Sequence, residues 1–237
     1  MVVMVDLRIV DSYQLDVEQL SRFYDEVLVP AFGSDELVER TEMLDALADR
    51  DSLTRARIAV DETGQIVGGV IGDWFAQGRV MLLSYLAARP GLRGHGIGQR
   101  LLADATPTWM SDFGAVLVVA EVENPDFYPV DADHGDPTAR LRLYARLGAK
   151  ILRLPYFQPA LGKGQSRVPN LFLMVFRADE SVMRGSDRVD AGPLRRFVDE
   201  YLESTEGDVD DDQVRDLRAA LQRDDGIELE DPARYLG

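Results

Sequence analysis

Arg93-Gly94-His95-Gly96-Ile97-Gly98 is the stretch on which the reading of this 237-residue chain turns. An unbroken apolar run, Val80 to Ala88, precedes it, and Leu101, Leu102, Ala105 and Trp109 follow at helical spacing. The order is therefore strand, glycine-rich turn, helix. Glycines leave backbone N–H groups accessible, and a helix start sets the positive end of its dipole beside them. Such a turn suits an anion, above all a phosphate. Spacing narrows the choice among phosphate loops. A P-loop needs G-x-x-x-x-G-K-[ST], whereas Gly98 is followed by Gln99-Arg100 and no lysine. A dinucleotide fingerprint needs G-x-G-x-x-G, and Gly94, Gly96 and Gly98 fall one residue short of it.

The segment resembles the pyrophosphate loop of the GNAT acyltransferases, [QR]-x-x-G-x-[GA], which Arg93, Gly96 and Gly98 satisfy. Its flank, Leu86-x-Ala88-x-Pro90-x-x-Arg93-Gly94, is similar to that family's strand end, proline turn and arginine. Further on, Leu143-Tyr144-Ala145-Arg146-Leu147-Gly148-Ala149 resembles the family's L-Y-x-x-x-G-F. Two positions depart from the pattern. Pro137 stands where an asparagine usually precedes the tyrosine, which puts a CoA contact from that position in doubt, and Ala149 replaces the terminal aromatic. A third segment, Tyr156-Phe157-Gln158-Pro159-Ala160-Leu161, is similar to one in a bacterial GNAT subgroup with an unassigned acceptor.

The resemblance implies an α/β (α+β) fold with a mixed, mostly antiparallel, splayed central sheet flanked by helices. It implies acetyl-CoA as co-substrate, no metal, and direct acyl transfer to a primary amine of a small molecule. The loop from Arg93 through Gly94, His95, Gly96, Ile97 and Gly98 would cradle the pyrophosphate, with His95 contributing backbone only. The backbone of Leu86 and Ala88 would pair with the pantetheine amides, and Tyr144 would protonate the departing sulfur. Direct transfer also needs a base. Period-two alternation along Ala115 to Glu123 puts Leu117, Val119, Glu121 and Glu123 on one side of a strand. Glu121 is the expected base, directly or through water, with Glu123 on the same face as its alternate. The alternative reading is that both carboxylates lie at the surface or attract a cationic acceptor. A silent acyl-CoA-binding module and a protein or peptide acetyltransferase are the rival functions.

Composition excludes other classes. The chain has 26 basic and 42 acidic residues, a formal charge of −16, which repels nucleic acid; the same field serves solubility or draws a cationic substrate such as an amine. It has no cysteine, so disulfides, thiolate metal sites and cysteine nucleophiles are out. No run reads as a membrane span or a secretory core, so no membrane partner and a cytoplasmic location are expected. Asp131 to Asp136 around His134 fails the calcium-loop pattern, because Asp136 stands where glycine is required and Arg142 where glutamate is required.

Along the rest of the chain, a strand is expected over Asp6 to Tyr13. Val17, Leu20, Tyr24, Val27 and Leu28 mark one helix, and Leu37, Leu44, Leu47 and Ala48 a second, with Pro30, Gly33 and Ser34 between them and Ser34 or Asp35 as N-cap. Arg57 to Asp61 and Gln65 to Trp74 read as a hairpin, with Gly68, Gly69 and Gly72 signalling a bulge or close backbone approach. Pro107 should kink or end the helix after the loop. Asp136 and Pro137 should open the helix that carries Tyr144, and Lys150 to Tyr156 and Asn170 to Arg177 should complete the sheet. The GNAT domain is expected over residues 1–178, and an acidic helical extension over 179–237, where 18 acidic and 8 basic residues leave a net −10. Leu194, Phe197, Val198, Tyr201 and Leu202 form one apolar helical face there and Val214, Leu217 and Leu221 another, joined by an acidic Ser204 to Asp212 linker. Those faces would dock against the domain or against a second copy in a homodimer.

Overall fold

Short apolar runs separated by turns set the strands of a mixed α/β fold. The computed structural model describes residues 7–32, 37–130, 136–161 and 164–236. Contacts gather the chain into two compact units, one holding the described residues up to 74 and 83–108, the other 75–82, 109–130 and the described residues from 136 on.

In the first unit, β1 (Leu7–Asp11), β2 (Thr54–Asp61) and β3 (Ile66–Phe75) pair antiparallel, and the later part of β4 (Val80–Ala88) lies beside β3. Helices α1 (Val17–Phe23), α2 (Val29–Phe32) and α3 (Arg40–Ala48) cover one face. Leu20, Phe23, Val27, Leu28, Met43 and Leu47 pack there with Ile58, Val60, Ile71 and Ala87. Both glycine expectations hold. The register of β2 and β3 shifts between Ala59 and Val60, and a Cβ at Gly69 would stand 2.5 Å from the Phe23 ring. Gly68 is equally constrained, since its Cβ would meet the Ala87 carbonyl at 2.8 Å and Ile97 Cγ2 at 2.9 Å.

Three expectations fail in this unit. Val17 is 69% exposed, because it is the first helical residue, and Phe23 fills the core in its stead. Pro30 does not separate helices; it lies in the first turn of α2, directly after a widened π turn, Tyr24–Leu28. In an unbroken α-helix its ring would clash with the carbonyl four residues back, and the π turn changes that spacing. The second helix is capped by Glu39, whose carboxylate accepts from the N–H groups of Thr41 and Glu42. Gly33, Ser34 and Asp35 lie outside the described residues.

Helix α4 (Ile97–Phe113) continues through Pro107 instead of ending there. Thr106 and Thr108 on either side donate their hydroxyls to the carbonyls of Leu102 and Asp104, at 2.9 and 2.7 Å. Gly114 then ends the helix in the left-handed region, φ 63°. The early turns of α4 are tied to the sheet by Arg57, which pairs with Asp104 at 2.7 Å and with Asp11 at 2.8 Å.

In the second unit the spatial order is the start of β4, then β5 (Leu117–Glu123), β7 (Leu171–Ala178), β6 (Lys150–Leu152), β9 (Ile227–Glu230) and β8 (Arg188–Val189). The pairings of β5 with β7, β6 with β7, β6 with β9 and β8 with β9 are antiparallel. Helix α5 (Pro137–Arg146) starts as expected, with the Asp136 carboxylate accepting from the Ala139 N–H at 3.0 Å. Strand β6 is shorter than the expected Lys150 to Tyr156. Past Leu152 the ladder is not continued, although the Arg153 N–H still donates to the Glu228 carbonyl at 3.0 Å.

The C-terminal segment is not only helical. Besides α6 (Ala191–Thr205) and α7 (Asp212–Ala220) it contributes β8 and β9, and its apolar faces lie inside the core. Leu194, Phe197, Val198, Tyr201, Leu202, Val214, Leu217 and Leu221 are all buried in one cluster with Leu117, Val119, Tyr156, Leu171 and Leu173. No helix among the described residues is long and apolar enough to cross a membrane.

Candidate active site

The glycine loop stands in the first unit at the end of β4. Leu86 and Ala88 are half-buried, Arg93 to Gly96 are exposed, and Ile97 is buried beneath the turn. Gly91, Gly94 and Gly96 hold φ of 84°, 83° and 78°, a region where a side chain is strained. Arg100 donates its N–H to the Gly96 carbonyl at 3.1 Å, so the helix begins on the loop's last turn. A turn over Arg93 and Gly94 aims the following backbone toward the start of α4. The first N–H groups of a 17-residue helix have no partner within the helix, which makes its start a ready anion site. Gly98 faces Leu86, where a Cβ would sit 3.6 Å from Leu86 Cδ2. The His95 ring turns back on its own loop, Nδ1 lying 3.2 Å from the Arg93 carbonyl.

The candidate acid–base residues are in the second unit. Glu121 and Glu123 lie near the end of β5, both half-buried, but their partners differ in kind. Glu121 accepts from the Tyr156 hydroxyl at 2.7 Å on one oxygen and from Gln158 Nε2 at 2.6 Å on the other. Glu123 is ion-paired with Arg140 of α5 at 3.2 Å. Tyr156 is buried, and burial together with the Glu121 charge pushes its phenol well above its ordinary range, so it stays protonated and donates.

Tyr144, one turn after Arg140 on α5, packs edge-to-face on Phe176, ring centroids 4.9 Å apart. Burial raises its phenol above the ordinary value, against a smaller opposing effect of the Arg140 charge. The structure thus brings Glu121 together with Tyr156 and Gln158, Glu123 with Arg140, and Tyr144 with Phe176. His134 lies outside the described residues.

Sequence reasoning missed the Tyr156 and Gln158 contacts to Glu121, although the Tyr-Phe-Gln-Pro segment was itself distinctive. It also missed Arg167. This guanidinium lies 4.5 Å over the Phe157 ring and bonds the Glu206 carboxylate at 2.9 and 2.6 Å.

Comparison with known proteins adds to this geometry. Residues 18–129 match the family model for the acetyltransferase (GNAT) family. That match contains the glycine loop and β5 and ends before α5, so Tyr144 lies beyond it. No curated protein matches the chain. Among solved structures, a protein from Bacteroides thetaiotaomicron described as a GNAT-family acetyltransferase is 21% identical, with 87% of this chain and 100% of that one covered, at a TM-score of 0.57. One from Acinetobacter baylyi ADP1, described as an acetyltransferase, is 16% identical over 74% of this chain and 96% of its own, at 0.52. One from Desulfovibrio desulfuricans, described as of the GNAT family, is 14% identical over 73% of this chain and 100% of its own, at 0.50. At such identities the likeness is one of fold. The fold and the family match over the segment that holds the glycine loop lead to one conclusion: residues 18–129 match the acetyltransferase (GNAT) family, and the chain has the fold of the acetyltransferase structures it resembles.

Proposed function

We propose that the protein transfers an acetyl group from acetyl-CoA to a primary amine of a small molecule, by direct attack of the amine within a ternary complex. Acetyl-CoA supplies the activated acyl group. The N–H groups of Gly94 to Gly98 hold its pyrophosphate, and the backbone of Leu86 and Ala88 aligns the pantetheine arm. Glu121 accepts the proton that the amine sheds as it forms the new C–N bond. Tyr144 gives its proton to the sulfur as the C–S bond breaks, and its raised pKa keeps that proton available at neutral pH.

The observation that carries this reading is the contrast between the two carboxylates. Glu123 is ion-paired with the Arg140 guanidinium, whereas Glu121 accepts from the Tyr156 hydroxyl on one oxygen and from the Gln158 amide on the other, which orients it. A formal charge of −16 further supports a cationic acceptor.

A thiol-release assay with acetyl-CoA across amines, polyamines, amino acids and peptides tests it. Turnover is expected with small amines. Glu121→Gln should lower kcat about 100-fold or more, while Glu123→Gln should stay within a few-fold of wild type. Tyr144→Phe should lower kcat with little effect on CoA affinity. Tight CoA binding by calorimetry with no turnover on any acceptor would leave a sensing module instead, and turnover on peptides alone would make the acceptor a protein.

A further inference from the structure

Tyr156 and Gln158, which donate to Glu121, come from the segment between β6 and β7, and that segment is held at its base. Gln158 and Val168 exchange backbone hydrogen bonds of 2.9 and 3.0 Å, so the two arms run side by side. Each arm then reaches one carboxylate, that of Glu206. The Ala160 N–H donates to it at 2.8 Å from the outgoing arm, and the Arg167 guanidinium grips both its oxygens from the returning arm. Arg167 also bonds Asp211 and Gln213, and it stacks on Phe157, the neighbour of both Tyr156 and Gln158. Glu206 is the residue that ends α6, its N–H on the Leu202 carbonyl at 2.8 Å, and α6 is anchored by Phe197 and Tyr201 against Phe75.

The pair is well shielded, with side-chain exposures of 15% for Arg167 and 9% for Glu206. An ion pair taken this far from water gains little net stability over apolar side chains of the same size, because desolvation offsets its attraction. What it fixes is geometry: a bidentate fork holds two chain segments in one register. Here the segments held are those that deliver Tyr156 and Gln158 to Glu121.

We infer that Arg167 and Glu206 are positioning residues for the Glu121 carboxylate, so that the C-terminal segment sets the competence of the base through the Tyr156–Gln158 arm. The inference rests on the reading of Glu121 as the base. Other charged and titratable groups stand nearby: Glu123 with its Arg140 partner along β5, and Tyr201 of α6 near the Tyr156 phenol. None of them is altered in the variants below.

The test compares the pH dependence of kcat and kcat/KM for the full-length wild type, Glu206→Gln, Glu206→Asp, Tyr156→Phe and Glu121→Gln. CoA affinity by calorimetry and the melting temperature serve as folding controls. Removing a donor to a carboxylate disfavours its charged form, so Tyr156→Phe should move the acid limb upward by about one pH unit. Glu206→Gln, acting through the arm, should move the limb in the same direction and lower kcat about tenfold at unchanged CoA affinity. Glu206→Asp, which keeps the charge but retracts the carboxylate by one methylene, should fall between it and wild type, and it serves if Glu206→Gln does not fold. Exchanging the charges in an Arg167→Glu, Glu206→Arg double variant should restore part of the kcat lost by Glu206→Gln. A lowered melting temperature with an unmoved limb and unmoved kcat would overturn the inference. If Glu121→Gln itself retains kcat and the acid limb, the reading of the base fails, whatever the clamp variants show.

Discussion

Asp73, on β3, accepts hydrogen bonds from the Thr54 hydroxyl at 2.6 Å and from the Ser84 hydroxyl. Enclosure outweighs those two bonds and raises its carboxyl above the usual range. A folded-state pKa above the unfolded one means that the fold prefers the protonated form. Asp73 therefore contributes stability in full below about pH 4, and the contribution is lost as pH rises through the folded value. Asp73→Asn, which cannot ionise, should gain in melting temperature relative to wild type as pH is raised from 4 to 7. A difference independent of pH would contradict this assignment. At this scale the sequence was informative about face and silent about partner. Alternation along β5 put Glu121 and Glu123 on one side, but the groups that distinguish them come from 35 and 37 residues away for Glu121 and 17 for Glu123. Glu206, inside the acidic Ser204 to Asp212 linker, was not singled out for the same reason: its partner Arg167 stands 39 residues earlier.

Among the elements, the glycine loop allows a separation of backbone from packing effects. A Cβ at Gly94 or Gly96 meets nothing within 4 Å, so alanine there is opposed only by the left-handed backbone, at about 1–2 kcal/mol. Gly96→Ala should weaken CoA binding in calorimetry while the rest of the fold melts nearly as before. Gly69→Ala should do the reverse, because its methyl collides with the buried Phe23 ring; overpacking of this kind costs about 1–3 kcal/mol and leaves the loop intact. Pro107→Ala should stabilise, by up to about 3 kcal/mol, since it restores an N–H within a continuous helix; a lower melting midpoint would show that the proline is needed. Elements with strong local signals were legible: β4 from its continuous apolar run, α4 from its periodicity, and the start of α5 from Asp136-Pro137. The short ones were not. Strands β8 and β9 have 2 and 4 residues, too few for any period to register, and they exist because β9 finds the edge of β6.

For the molecule as a whole, the reach of the C-terminal segment into the second unit's core predicts that it is not detachable. A chain ending at residue 178 would expose Leu117, Val119, Leu171 and Leu173, which now pack with α6 and α7. Such a truncation should aggregate or lose its cooperative melting transition, whereas an independent appendage would leave that transition unchanged. The apolar helical faces were readable from their spacing, but what they cover was not, because the contacting strands lie far back in the sequence. The placement of Glu206 also has a consequence for synthesis. A nascent chain has every residue of β5, the Tyr156–Gln158 arm and β7 well before residue 206 leaves the ribosome, yet it lacks the carboxylate that joins the arm's two sides. Ordering of the Tyr156–Gln158 arm is thereby deferred until residue 206 has emerged, so that shorter nascent fragments holding Glu121, Tyr156 and Gln158 should lack the fixed arrangement of the three.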